Sequence, residues 1–370
     1  MLSTKHQTKH QEDLASIAVD WMNTLAAVKE ELCTSAVIDV LAASSGWIDT
    51  GLDVPEGAEI TLLSAGRVWL AKELGIGFDG GMALWHRIEP GGTISKSIDT
   101  TTTFRAERNG RLMLIAKPPG EWLDESGRFD PAYPHEGASG GLTVAVLVWR
   151  GLAKQGLLKL RAVDRSGYAR RELARLENQG EPPKGWRHLW RLGESQIFRA
   201  EAGEQQPDRL CCRTARDAGI LQYPVDVKLD SSTRLAWAWR ADELPSKVRE
   251  DSLPTHDYLS IAVEFDNGRD LTYMWSAALP EGKVFPCPVS WWDKRETHQV
   301  VRSDRAKLGV WLEEEQAVYH DYERAIGGAL PERIVAVWLI AVSAFQRGKG
   351  NCSYARIRLK TSAGEVWVGP

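Results

Sequence analysis

The sequence predicts a mainly β protein: two β-sandwich domains of jelly-roll or galactose-binding-like type, an N-terminal helix and a partly helical connector. Three observations predict it. Apolar and polar residues alternate over short runs such as Tyr258 to Phe265, which gives a strand one apolar face. Clusters such as Pro90-Gly91-Gly92 and Pro118-Pro119-Gly120 punctuate these runs as turns. Of the 16 tryptophans, Trp85, Trp149, Trp237, Trp239, Trp275 and Trp338 sit inside such runs, where a large ring with a single N–H serves either a core or a stacking site.

Taken in order, residues 11–43 read as a helix, because Leu14, Ile17, Trp21, Leu25, Val28 and Leu32 recur at spacings of three and four. The N-terminal helical segment is therefore expected over 1–43. Its stripe needs a partner, either its own domain or a second copy of the chain, so a homo-oligomer is one expectation. From Gly46 the period becomes two, and a first sandwich is expected over 44–152. Its strands are expected at 59–66, 81–89, 100–106, 111–116 and 142–149, and Asn109-Gly110 is a hairpin signal. Residues 153–194 read as a connector, with an Arg- and Glu-rich run and a short helical pattern at Tyr168, Leu173 and Leu176. A second sandwich is expected over 195–370. Its strands are expected at 234–240, 258–265, 271–276, 298–302, 334–343 and 354–359, with one helix at about 311–326.

A chain of 370 residues is long enough for two cores. The net charge of −4 and a pI near 6.1 argue against a nucleic-acid partner, which needs a basic surface. No apolar run is long enough to span a membrane, and the polar start resembles no leader, so a cytoplasmic location is expected. Five cysteines without a Cys-x-x-Cys pair fit that expectation, and Cys211-Cys212 reads as two ordinary strand residues.

The first block resembles the PA-I-like galactophilic lectins, a family of small bacterial β-sandwiches. The matching stretches, in order, are Gly46 to Gly51, Val54 to Gly66, Ala83 to Ile88, Phe104 to Asn109, Pro119 to Trp122 and Ser139 to Val144. The resemblance implies a sandwich and a sugar bound through calcium. Lys117, however, stands where those lectins carry a calcium-binding aspartate, so no calcium site is expected here. The second block resembles an uncharacterised bacterial family, a domain of unknown function. That resemblance rests on Leu235 to Arg240, Leu244-Pro245, His256-Asp257-Tyr258, Ile261 to Phe265, Leu271 to Ser276, Gly309 to Trp311 and Asp321-Tyr322. It implies a jelly roll of carbohydrate-binding type. Relatives carry basic residues where this chain has Ala236 and Ala238, a second acid at His256, and an acidic loop at 344–351.

Candidate sites follow from these elements. Trp69, Trp85, Trp122 and Trp275 are candidate sugar-stacking platforms. Arg87, Glu121, Arg240 and Tyr258 are polar candidates beside them. Alternation sets Trp85 with Arg87 and away from Leu84 and Ile88, so it is expected to be partly exposed. Glu264 lies on the second face of its strand, with Tyr258, Ser260 and Ala262, and is the best candidate for an acid or base. Asp257 is its candidate partner. The histidines lack zinc-site spacing, and nucleotide or nucleophile-elbow motifs are absent, so neither a metal nor a cofactor is expected. Two functions remain open. One is a non-catalytic binder of a glycan or other small molecule. The other is an enzyme acting on a glycoside or biosynthetic intermediate through Glu264 and Asp257. An oligomerising scaffold is the third alternative.

Overall fold

The computed structural model describes residues 16–120, 122–129, 138–202, 208–303 and 305–369. Leu14 and Glu121 lie outside them. The backbone contacts divide the chain into two units, Met1–Gln179 and Gly180–Pro370.

The first unit opens with helix α1 (residues 16–27). Its strands are β1 (Leu32–Leu41), β2 (Ile48–Val54), β3 (Glu59–Ala71), β4 (Ile76–Phe78), β5 (Leu84–Glu89), β6 (Ser95–Lys96), β7 (Thr101–Arg105), β8 (Gly110–Ala116) and β9 (Ser139–Trp149). Helix α2 (Gly80–Ala83) precedes β5, and α3 (Ala153–Leu160) and α4 (Tyr168–Glu177) follow β9. One sheet runs β1-β9-β3-β4 with β7 also on β3, and the other runs β2-β8-β5-β6. Trp21, Leu25 and Val28 of the N-terminal stripe pack with Leu157, Leu160 and Leu173 against Ala145, Leu147 and Trp149 of β9. Helices thus cover one face of β9, which is why Leu142 to Trp149 is apolar without alternation.

Three local expectations are corrected here. The helix does not extend to residue 43. Of the stripe, Ile17, Trp21 and Leu25 lie on α1, Val28 follows it in a turn, and residues 32–41 form β1, whose β-branched run pairs along β9. Residues 81–83 are helical, so the strand expected from 81 starts at Leu84. Asn109-Gly110 joins two sheets rather than closing a hairpin, because β7 pairs with β3 while β8 pairs with β2 and β5. The glycine is needed for a different reason: a Cβ there would sit 2.0 Å from the Glu89 carbonyl oxygen.

The second unit holds β10 (Arg187–His188), β11 (Phe198–Glu201), β12 (Arg209–Ala215), β13 (Ala218–Lys228), β14 (Arg234–Glu243), β15 (Tyr258–Phe265), β16 (Asp270–Trp275), β17 (Val284–Pro286), β18 (Glu296–Arg302), β19 (Leu312–Gln316), α5 (Val318–Ala325), β20 (Arg333–Val342), β21 (Lys349–Thr361) and β22 (Gly364–Trp367). A seven-stranded sheet runs β10-β13-β20-β15-β16-β18-β17. A six-stranded sheet runs β11-β12-β21-β14-β19, with β22 on β21. Their facing sides share one core, which includes Trp237, Trp239, Leu259, Ile261, Val263, Phe265, Tyr273, Trp275, Leu339 and Tyr354. The expected helix at 311–326 shortens to α5, because residues 312–316 pair with β14 as an edge strand. Glu314 of that strand accepts from Arg302 Nε at 2.6 Å and from Trp239 Nε1 at 3.1 Å.

Candidate functional site

Inward-facing Leu259, Ile261, Val263 and Phe265 fix the register of β15, so its even-numbered residues lie on the opposite face of the seven-stranded sheet. Pairing then sets three carboxylates in one row across adjacent strands. Glu264 of β15 stands opposite Asp270 of β16, and Asp270 opposite Glu296 of parallel β18. Neighbouring strands lie about 4.8 Å apart, so like charges in one row repel. Asp270 and Glu296 are buried. Burial pushes both carboxyls above the usual range, and the Glu296 charge pushes Asp270 further in the same direction. Such a pair retains a proton where an isolated carboxyl would lose it. Burial also raises Glu264, against the opposing pull of its hydrogen bonds.

The two ends of the row differ. At the Glu264 end the carboxylate is half-buried, and both its hydrogen bonds fall on Oε2: from Gln222 Nε2 at 2.8 Å and from Trp338 Nε1 at 3.1 Å. Gln222 in turn accepts from Arg187 Nε at 3.0 Å. A polar track therefore runs from Arg187 through Gln222 and Glu264 to Asp270 and Glu296. At the Glu296 end, Oε1 accepts from Tyr258 Oη at 2.8 Å and Thr272 Oγ1 at 3.2 Å. Buried His256, Cys287 and His298 surround that end. His256 Nε2 lies 3.4 Å from Cys287 Sγ, and the His256 and His298 rings meet edge to face at 4.9 Å.

The sequence-predicted residues divide sharply. Glu264 holds the position read for it. Tyr258 joins the site by its hydroxyl, with its ring buried. Asp257 does not pair with Glu264. Seven residues of extended chain separate them by roughly 23 Å, and the Asp257 carboxylate accepts from the amides of Phe345 at 2.9 Å and Gln346 at 2.7 Å. It is a loop anchor, and burial pushes its carboxyl up to about 6.

Trp275 is 1% exposed and packs against Trp239 in the core, so it offers no stacking face. Trp85 and Trp122 are both 0% exposed. The expected exposure of Trp85 fails because β5 is an inner strand covered on both faces; its Nε1 donates to the Lys117 carbonyl and its ring meets Trp122 edge to face. Trp122 is itself stacked between Trp47 and Phe129. Lys117 is buried and donates from Nζ to the Ala42 carbonyl at 2.8 Å. Trp69 is partly exposed beneath Arg67. Arg87 lies over the Trp47 ring, and Arg240 pairs with Asp242. Trp69 and Arg87 belong to the first unit, and Arg240 stands on β14 of the six-stranded sheet rather than on the sheet that carries the row.

Sequence reasoning missed Asp270, Glu296, His298, Cys287, Gln222 and Trp338. Alternation on β16 and β18 marks Asp270, Thr272, Glu296 and His298 as one face each. Only the pairing of the strands shows that the faces coincide.

No curated protein matches the chain. A PllA-like lectin, the N-terminal domain of EclA, is similar over 32% of this chain and 98% of its own, at 17% identity and a TM-score of 0.25. The xyloglucanase domain of NopAA, a type three effector from Sinorhizobium fredii solved with cellobiose, is similar over 48% of this chain and 93% of its own, at 8% identity and a TM-score of 0.28. The tandem CBM22 domains of Paenibacillus barcinonensis Xyn10C are similar over 91% of this chain and 96% of their own, at 10% identity and a TM-score of 0.23. Residues 185–358, which carry every member of the polar track and of the cluster around Glu296, match the family model described as Protein of unknown function (DUF3047).

Proposed function

We propose that the second unit binds a small polyhydroxylated ligand of carbohydrate class on the outer face of its seven-stranded sheet, at the Glu264 end of the carboxylate row. The observation that carries this reading is the track from Arg187 through Gln222 and Glu264 to Asp270. It sets amide, guanidinium and carboxylate groups along one sheet face, where alternating donors and acceptors suit vicinal hydroxyls. Glu264 is half-buried and held by Gln222 and Trp338 at one oxygen. The other oxygen is the natural acceptor for a ligand hydroxyl. The ligand's donors would be desolvated there, which is where hydrogen bonds to a charged group discriminate best.

The test is calorimetric titration of the full chain with cellotetraose, xylotetraose and lactose, repeated on Glu264→Ala. Binding of at least one sugar, weakened tenfold or more in the variant, is the expected result. Absence of binding by all three, or equal affinity in both proteins, contradicts the reading. A second reading, acid–base catalysis on a glycoside, is favoured by Asp270 and Glu296 standing opposite each other on β16 and β18, since two neighbouring carboxyls can supply an acid and a base. It predicts that the sugar found is cleaved, and that Glu296→Gln binds it without cleaving it.

A further inference from the structure

We infer that His256, Cys287 and Glu296 form a binding site for a zinc-class divalent cation, with His298 beside them as the candidate fourth ligand. The inference does not rest on the carbohydrate reading; it concerns the opposite end of the row.

Geometry comes first. The ligand atoms of His256, Cys287 and Glu296 all lie within 4.8 Å of one another. A tetrahedral zinc with bonds of about 2.3 Å to sulfur and 2.0–2.1 Å to nitrogen and oxygen sets its ligand atoms about 3.3–3.6 Å apart. His256 Nε2 and Cys287 Sγ are 3.4 Å apart, and His298 Nε2 and Glu296 Oε1 are 3.3 Å apart. The first matches an edge of such a tetrahedron, and the second places His298 beside Glu296, outside the group of three.

His256 Nδ1 lies 2.9 Å from the backbone carbonyl of Glu250, which only accepts. Nδ1 therefore carries the proton, and the Nε2 lone pair points towards Cys287. A carbonyl that fixes the tautomer in this way is the usual support of a metal-bound histidine. Glu250 is itself fixed, since its carboxylate accepts from Ser276 Oγ and the Ala277 amide, each at 2.5 Å. His298 is 0% exposed, yet neither ring nitrogen makes a hydrogen bond; its Nε2 sits near Glu296 without bonding alignment. A fully buried imidazole without partners costs stability unless something else meets its nitrogen. A cation would meet it.

One cysteine, two imidazoles and one carboxylate match zinc better than calcium or magnesium, which take oxygen ligands. Binding replaces the Cys287 S–H bond with a sulfur–metal bond and releases that proton to solvent. Among the described residues, Tyr258 and Thr272 then hold the Glu296 carboxylate as outer partners. The ligand spacings of 31 residues from His256 to Cys287 and nine more to Glu296 follow no local motif, because two loop positions and the start of β18 bring them together.

The experiment uses the full chain without an affinity tag. Chelator-treated protein is titrated with zinc against a chromophoric competitor, then with cobalt, and metal content is read by mass spectrometry. One zinc per chain is expected, with a thiolate-to-cobalt charge-transfer band and a melting temperature raised by about 5 °C or more over the chelated protein. Cys287→Ser should lose the band, and His298→Ala should weaken zinc by tenfold or more. The inference is overturned if the wild-type chain binds no zinc in competition, if its cobalt form lacks the thiolate band, or if folded Cys287→Ser keeps that band. The wild-type outcomes decide the matter even where a variant does not fold. Since the readout is metal alone, failure here is distinct from failure to bind sugar.

Discussion

At the scale of single residues, burial decides which polar groups are structural and which are poised. His86 is fully buried in the first unit and stacks on Phe104 at 3.9 Å, and burial pushes its imidazole down to about 3. The folded state therefore holds this group neutral, whereas the unfolded chain protonates it near the usual 6.5. The lowered value means its contribution is complete above about 6.5 and is lost as pH falls towards 3. His86→Phe should remove that liability. Its stability relative to wild type should improve by about 3 kcal/mol between pH 7 and pH 4, at about 1.4 kcal/mol per unit. Denaturant melts of both proteins at the two pH values check this; a constant difference contradicts it. Trp85 illustrates the converse for an aromatic candidate. Because it is core, Trp85→Ala should cost about 3–5 kcal/mol and leave sugar affinity unchanged in whatever protein still folds, as read by melts and calorimetry. Glu264 was legible from the alternation of β15 alone. Asp270 and Glu296 were not: Asp270 joins the row through the antiparallel pairing of β15 with β16, and Glu296 through the register of a parallel pair that no local pattern encodes.

At the scale of elements, apolar periodicity was read well and its consequences less well. The stripe of α1 is an amphipathic helix face, and Trp21 and Leu25, with Val28 just beyond the helix, bury it within the first unit. Trp21→Ala should therefore destabilise that unit by about 3 kcal/mol, with the mass by light scattering unchanged; a shift in mass would instead assign the stripe to a partner chain. Residues 312–316 misled because Glu313-Glu314-Glu315 suits a helix by propensity. Tertiary context overrides it: Glu314 is buried and receives the Arg302 guanidinium, with Nε at 2.6 Å from Oε1 and Nη2 at 2.9 Å from Oε2. Removing the cation leaves a buried charge alone, so Arg302→Ala should cost about 3 kcal/mol, and Glu314→Gln should recover part of it in the double variant. Denaturant melts of the three proteins give that cycle. Strands β12 and β13 escaped notice because Arg213, Gln222 and Asp226 interrupt their apolar positions. Both lie inside sheets, where backbone pairing rather than pattern fixes them.

At the scale of the whole molecule, the chain divides at residue 179/180, and each unit carries its own sandwich. Trp85 and Trp122, which drew attention to the first unit, fill its interior, whereas the second unit sets three carboxylates in one row on the sheet face turned away from its core, with Glu264 the half-buried end. That contrast is the central claim, and the sixteen indoles provide a direct probe of it. With the full chain labelled at tryptophan nitrogen, the indole N–H resonances are followed as the sugar found by calorimetry is added. The account predicts a dose-dependent shift of the Trp338 indole, which donates to Glu264 at 3.1 Å, while those of Trp85 and Trp122 stay fixed. Movement of the Trp85 or Trp122 resonances with Trp338 unmoved would contradict it and return the ligand site to the first unit.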